Sequence, residues 1–114
     1  MRAFSKWRLV SSILLQAVVL FFISLGSLSA ANLGVVVPIV GQIPDLTYDA
    51  QRNLVYLANS IRNQVEIYSV ESRQLVGSIP TGLQPASLAL SPDGQTLYVA
   101  NVGSQTLTLI NLNF

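Results

Sequence analysis

Two asparagines, Asn59 and Asn101, stand 42 residues apart and close two near-identical runs, "VYLAN" and "LYVAN". The tyrosines inside those runs, Tyr56 and Tyr98, keep the same spacing, and Asp93-Gly94 sits just ahead of the second run in "SPDGQ". These residue types can hold a ligand. A loop-rim amide can face one, a tyrosine can stack on a sugar, and a carboxylate beside a glycine is a candidate calcium ligand. Each also has a structural reading that better explains its recurrence. Asn where a chain reverses caps backbone groups of the next turn. A repeat-equivalent Tyr packs between repeats with its hydroxyl at an edge. A lone Asp before Gly forms a turn. We therefore read Tyr56, Asn59, Asp93, Gly94, Tyr98 and Asn101 as a structural repeat signature, and assign no catalytic, cofactor-binding or metal-binding residue.

Composition narrows the chemistry further. The 114-residue chain has no His and no Cys. That excludes Ser-His-Asp and Cys-His catalysis, nitrogen- and sulfur-ligated zinc, and any disulfide. No carboxylate pair stands at an evident catalytic spacing. "GVVVPIVG" (residues 34–41) lacks the glycine spacing of a dinucleotide fingerprint, and no cofactor is expected. Arg52, Arg62 and Arg73 occur only in the first copy of the repeat, at or near turns, and read as solvated loop charges. Tyr48 and Tyr68 complete the tyrosines available for stacking on a carbohydrate.

The first thirty residues differ from the rest. "MRAFSKWR" carries Arg2, Lys6 and Arg8; an apolar stretch follows over residues 13–25, then "GSLSAAN". A basic start, apolar middle and small-residue exit describe a signal peptide, here residues 1–31 with a cut at Ala31–Asn32 or, as an alternative, after Ala30. The alternative is an uncleaved anchor, since residues 9–25 lie at the lower edge of what spans a bilayer. Either way the body, residues 32–114, is expected to be exported: periplasmic, cell-surface or secreted. The net charge of +1 belongs to the leader; the body has three Arg against Asp45, Asp49, Glu66, Glu71 and Asp93, a charge of −2. No basic stripe is present, which argues against nucleic acid as a partner.

The elements that must position the signature are strands. The period is 42 at Tyr56/Tyr98, Asn59/Asn101 and Val65/Leu107, but 41 at Gly41/Gly82 and Pro44/Pro85. One residue is therefore missing from the first copy, and is expected to be missing at its "DAQRN" turn (Asp49–Asn53), opposite "SPDGQ". The first copy offers strands at 45–48, 54–59, 64–70 and 74–80, the second at 87–91, 96–101 and 106–112. A further strand is expected over 34–41, because "GVVVPIVG" aligns on its glycine with the fourth strand of the first copy. Low-forties periods made of strands point to propeller blades. The fold class is all-β: a closure strand at 34–41, a four-stranded antiparallel blade at 43–81 and a partial blade at 84–114.

The stretch "GLQPASLALSPDGQTLYVANVGSQTLTLINL" (Gly82–Leu112) resembles the YVTN family of β-propeller repeats, found in exported surface-layer-like and lactonase-like proteins. The signature reads "YVAN" at Tyr98–Asn101 and "YLAN" at Tyr56–Asn59; Asn111 stands where the family usually has Asp, and the first copy lacks the SPDG turn. The resemblance implies a scaffold more than an activity.

Strands such as "LVYLA" and "TLYVA" are apolar on both faces, as in sheets covered on both sides. Two blades cover only one face of each other, and propellers need four to eight. The expected partners are thus other blades, either further along a longer gene product or in three or four copies assembled head to tail, with a protein or carbohydrate ligand beyond them. The expected function is a non-enzymatic exported binding or scaffold module. The alternative is part of a lactonase-like hydrolase, against which the missing His counts.

Overall fold

The computed structural model describes residues 33–114, and the leader expected over 1–31 lies outside them. Seven strands follow one another: β1 (Asp45–Asp49), β2 (Leu54–Asn59), β3 (Gln64–Ser69), β4 (Gln74–Pro80), β5 (Pro85–Leu90), β6 (Thr96–Asn101) and β7 (Thr106–Asn111). β1–β4 form one antiparallel sheet in sequence order, and β5–β7 form a second. No helix occurs among the described residues. All seven strands belong to the compact unit Val37–Phe114.

The strands follow from local sequence. β-branched and aromatic residues fill β2, β3 and β6, and tight connections separate them. Asn53, Asn63, Arg73 and Gln105 each have φ between 52° and 58° and each immediately precedes a strand. A left-handed residue at the end of a short loop returns the chain into register. Asn63 and Gln105 are repeat equivalents, so the two copies share this turn conformation. At the first hairpin the left-handed residue is Asn53, and in the second copy it is Gly94 (φ 73°).

One expectation is corrected by the register. The residue missing from the first copy is not lost at the turn. Asp49 pairs with Leu54, and Ser91 N–H donates to Thr96 O at 2.9 Å, so both copies make that hairpin with four residues between the paired positions. The extra residue of the second copy is Ala86, which the ladder skips between Pro85 and Ser87 as a β-bulge. Residues 34–41, expected as a closure strand, have no paired neighbour among the described residues, and a strand is defined by a paired neighbour.

The core lies between the sheets. Tyr56, Val65 and Ile67 of the first sheet cluster with Leu97, Val99, Ile110 and Leu112 of the second, and Leu54, Ile79, Leu88 and Leu90 pack around them. One face of each blade is thereby covered. The other faces remain exposed at Leu46, Tyr48 and Val70 on the first blade and at Tyr98, Leu107 and Leu109 on the second.

Candidate functional site

The buried polar side chains lie in three corners, two of them repeat-related. The first is built on Asp49, fully buried at the end of β1. Its carboxylate accepts from the Tyr56 hydroxyl (2.8 Å), Arg52 Nη1 (2.9 Å) and the backbone N–H groups of Gln51 (3.1 Å) and Arg52 (3.2 Å). Burial pushes this carboxyl up, but those donors outweigh it and hold it below the usual carboxylate range. Burial, and then the hydrogen bond to Asp49, push the Tyr56 hydroxyl strongly upward. Arg52 is no solvated loop charge. Its guanidinium is mostly covered, pairs with Asp49 and also donates to Gly94 O of the second blade at 2.7 Å. The Asp-x-x-Arg spacing of the turn, with Tyr seven residues after the Asp, is the signal that could have revealed this corner.

The second corner is built on Asn59. Its Nδ2 donates to Val40 O (2.7 Å) and Glu66 Oε1 (3.0 Å), and its Oδ1 accepts Arg62 N–H (3.2 Å). Glu66, buried mid-strand between Val65 and Ile67, also accepts from Gln64 Nε2 (2.7 Å). Asn59 thus holds the next turn and the approach to β1 together. The third corner is its repeat equivalent, with Thr108 in place of Glu66. Asn101 Nδ2 donates to Thr108 Oγ1 (2.8 Å) and Thr106 Oγ1 (3.2 Å), while its buried Oδ1 has no partner.

Gly41 borders the Asn59 corner at φ 122°, where a Cβ would collide with the Asn59 amide. The equivalent Gly82 has ordinary φ, and a Cβ there would meet the rotatable Thr106 and Ser104 hydroxyls at 2.6 and 2.7 Å and the Asn101 amide at 2.8 Å. Gly41→Ala is therefore expected to cost about 2 kcal/mol through strain and a displaced amide, and Gly82→Ala about half of that. Thermal melts of the two variants check this; the reverse order would contradict it.

Asp93 stays at the surface turn. The Ser91 hydroxyl (2.6 Å) and Gln95 N–H (3.0 Å) bind its carboxylate and hold it below the usual range. Tyr98 is 37% exposed where Tyr56 is wholly buried. No group of three or more potential metal-binding side chains occurs among the described residues. An open groove of about 350 Å³ runs between the blade rims, lined by Ser60, Ile61, Asn63, Leu83, Gln84 and Gly103. None of the six signature residues lines it, although Asn59 and Asn101 end the strands that carry its loops.

The family model described as "Lactonase, 7-bladed beta-propeller" matches residues 42–114. Antigen Lp49 of Leptospira interrogans (serogroup Icterohaemorrhagiae, serovar copenhageni, strain Fiocruz L1-130) is 35% identical over 48 residues, 42% of this chain and 10% of that protein. Hydrazine synthase subunit beta of Kuenenia stuttgartiensis is 53% identical over 36 residues, 32% of this chain and 9% of that protein. The chain thus spans about a tenth of the length of these relatives. The solved Kuenenia stuttgartiensis hydrazine synthase superposes with a TM-score of 0.56 at 20% identity over 69% of this chain and 24% of that one, a likeness of fold.

Proposed function

The chain belongs to the lactonase-type seven-bladed β-propeller family, and from that premise we propose that it is an exported, non-catalytic propeller module that binds or scaffolds. One observation carries this reading. Both buried carboxylates, Asp49 and Glu66, accept hydrogen bonds from scaffold donors, so they fix turns instead of standing poised as acid or base. The rim groove supports the binding half. Its volume suits a small ligand or a protein loop, and it combines exposed Ile61 and Leu83 with the amides of Asn63 and Gln84. Association with other blades follows from the propeller architecture.

The second reading, part of a lactone hydrolase, is favoured by the family match alone. Lactone hydrolysis by the full chain, with divalent metals added, separates the two. We expect no turnover above a boiled control, and turnover would overturn the proposal. Export is tested by N-terminal sequencing of the protein recovered outside the cytoplasm: a start at Asn32 fits the cleaved leader, and a start at Met1 fits the anchor.

A further inference from the structure

We propose that the rim groove between the two blades is a peptide site, which holds an uncharged, extended segment of a partner protein by its backbone amides and apolar side chains. This rests on the reading of the chain as a binding module and names the ligand class of that site. The groove has two lobes: the one of about 350 Å³ joins a second of about 260 Å³ through Ser60, Ile61 and Gln84, which line both. Three features of its lining depart from the repeat. First, Ile61, Leu83 and Val102 are 66%, 54% and 62% exposed. Their repeat counterparts are Gly103, Gln42 and Ser60, so these turns do not require apolar side chains. An exposed apolar cluster that the scaffold does not need marks a binding surface. Second, Gln84 is left-handed at φ 53°, a strained conformation for a residue with a side chain, and the Pro85 that follows favours extended backbone there. Its counterpart Ile43 is not left-handed. Gln84 N–H donates to Asn63 Oδ1 at 2.9 Å and its carbonyl accepts Val102 N–H at 3.0 Å, so both blades clamp the strained pose. Third, the Ala86 bulge, which the first copy lacks, lies in the second lobe.

The chemistry of the lining selects the ligand. No lining residue is charged, so a charged ligand would lose water without gaining a partner. No aromatic residue lines either lobe, which removes the stacking platform that a sugar ring uses. The polar groups that remain are chiefly carboxamides. The Gln84 amide lies across Gly103, where a Cβ would stand 2.9 Å from Gln84 Oε1, so the glycine makes room for it. Among the described residues, neither that amide nor Asn63 Nδ2 has a hydrogen-bond partner. A carboxamide carries a donor and an acceptor in one plane, which together pair both groups of a peptide unit. Ile61, Leu83 and Val102 then supply the contacts for apolar side chains on either side of that unit.

The test follows the side-chain amide signals of the isotopically labelled full chain by NMR during titration with three probes. These are a pool of end-blocked, uncharged hexapeptides carrying two leucines or valines, the same pool with lysine or aspartate in their place, and maltohexaose. The first pool alone is expected to shift the Asn63 and Gln84 NH2 signals and to saturate them. Ile61→Ser and Gln84→Gly are each expected to weaken that binding by about tenfold or more without lowering the melting temperature, since Ile61 is exposed and glycine suits φ 53°. Leu83→Ser repeats the first change should Ile61→Ser misfold. Gly103→Ala, which displaces the Gln84 amide, is expected to weaken binding as well. Equal shifts with the charged pool, shifts with maltohexaose, or no shift with any probe would overturn the proposal. Peptide binding that survives both Ile61→Ser and Gln84→Gly would overturn it too, yet leave the binding-module reading standing; lactone turnover would strike only the non-catalytic half of that reading.

Discussion

Tyr56→Ala is expected to remove about 4 kcal/mol of folding stability, and Tyr98→Ala less than about 1 kcal/mol, although the two tyrosines occupy the same place in the repeat. Tyr56 is fully buried between the sheets and its hydroxyl donates to Asp49, whereas Tyr98 lies on an uncovered face. Truncating the first leaves a cavity in the core shared by both blades and strips a donor from a buried carboxylate. Truncating the second changes little in the isolated chain. A body of this size has roughly 5 kcal/mol of stability in all, so Tyr56→Ala should keep only about 1 kcal/mol and be unfolded in roughly one molecule in six in dilute buffer. Urea titrations at concentrations too low for association give both values. Similar losses at the two positions would refute the assigned burial.

The second large effect is acid sensitivity centred on Asp49. Its folded carboxyl is depressed below the reference value of 3.8, so it binds fewer protons folded than unfolded through that window. The stability it contributes is then fully present above pH ~3.8 and is lost as pH falls through the lower folded value. Asp93 is depressed too and acts with the same sign from the surface, so the Asp49 share is read by difference. Asp49→Asn should cost about 2 kcal/mol near neutral pH, because the Arg52 guanidinium loses its charged partner and the Tyr56 hydroxyl its strongest acceptor. It should also flatten the acid limb of stability against pH. Unfolding midpoints from pH 7 to pH 2.5 check both parts, and an unchanged acid limb in Asp49→Asn would place the sensitivity elsewhere.

The strands were legible because their signals are local. "TLYVAN" and "LVYLAN" are β-formers closed by an Asn, and β6 and β2 lie where those runs placed them. The position of the odd residue was not legible, because sequence offset locates an insertion only to a segment. Whether Ala86 bulges or a hairpin lengthens depends on ladder pairing. The fate of residues 34–41 was hidden for a related reason: "GVVVPIVG" has strand composition, but a strand exists only beside a partner. At the candidate site the asparagines were visible through repetition. The Asp49–Arg52–Tyr56 corner was not, since it belongs to the first copy alone. In the second copy Ser91 and Gly94 occupy the equivalent places, so repetition, the strongest signal in this chain, is blind there.

The split between equivalent residues has a single physical origin. A blade buries a face only when another blade lies against it, and one such contact exists within the described chain. Asp45 Oδ2 accepting Leu88 N–H at 2.8 Å and Arg52 donating to Gly94 O add direction to an otherwise apolar seam. That seam can be measured without reference to any partner. Tyr56→Leu and Leu97→Ala, singly and together, form a double-mutant cycle across the two sheets. Face-to-face packing of the blades predicts a coupling of about 1 kcal/mol or more, while losses that simply add, within about 0.3 kcal/mol, would contradict it.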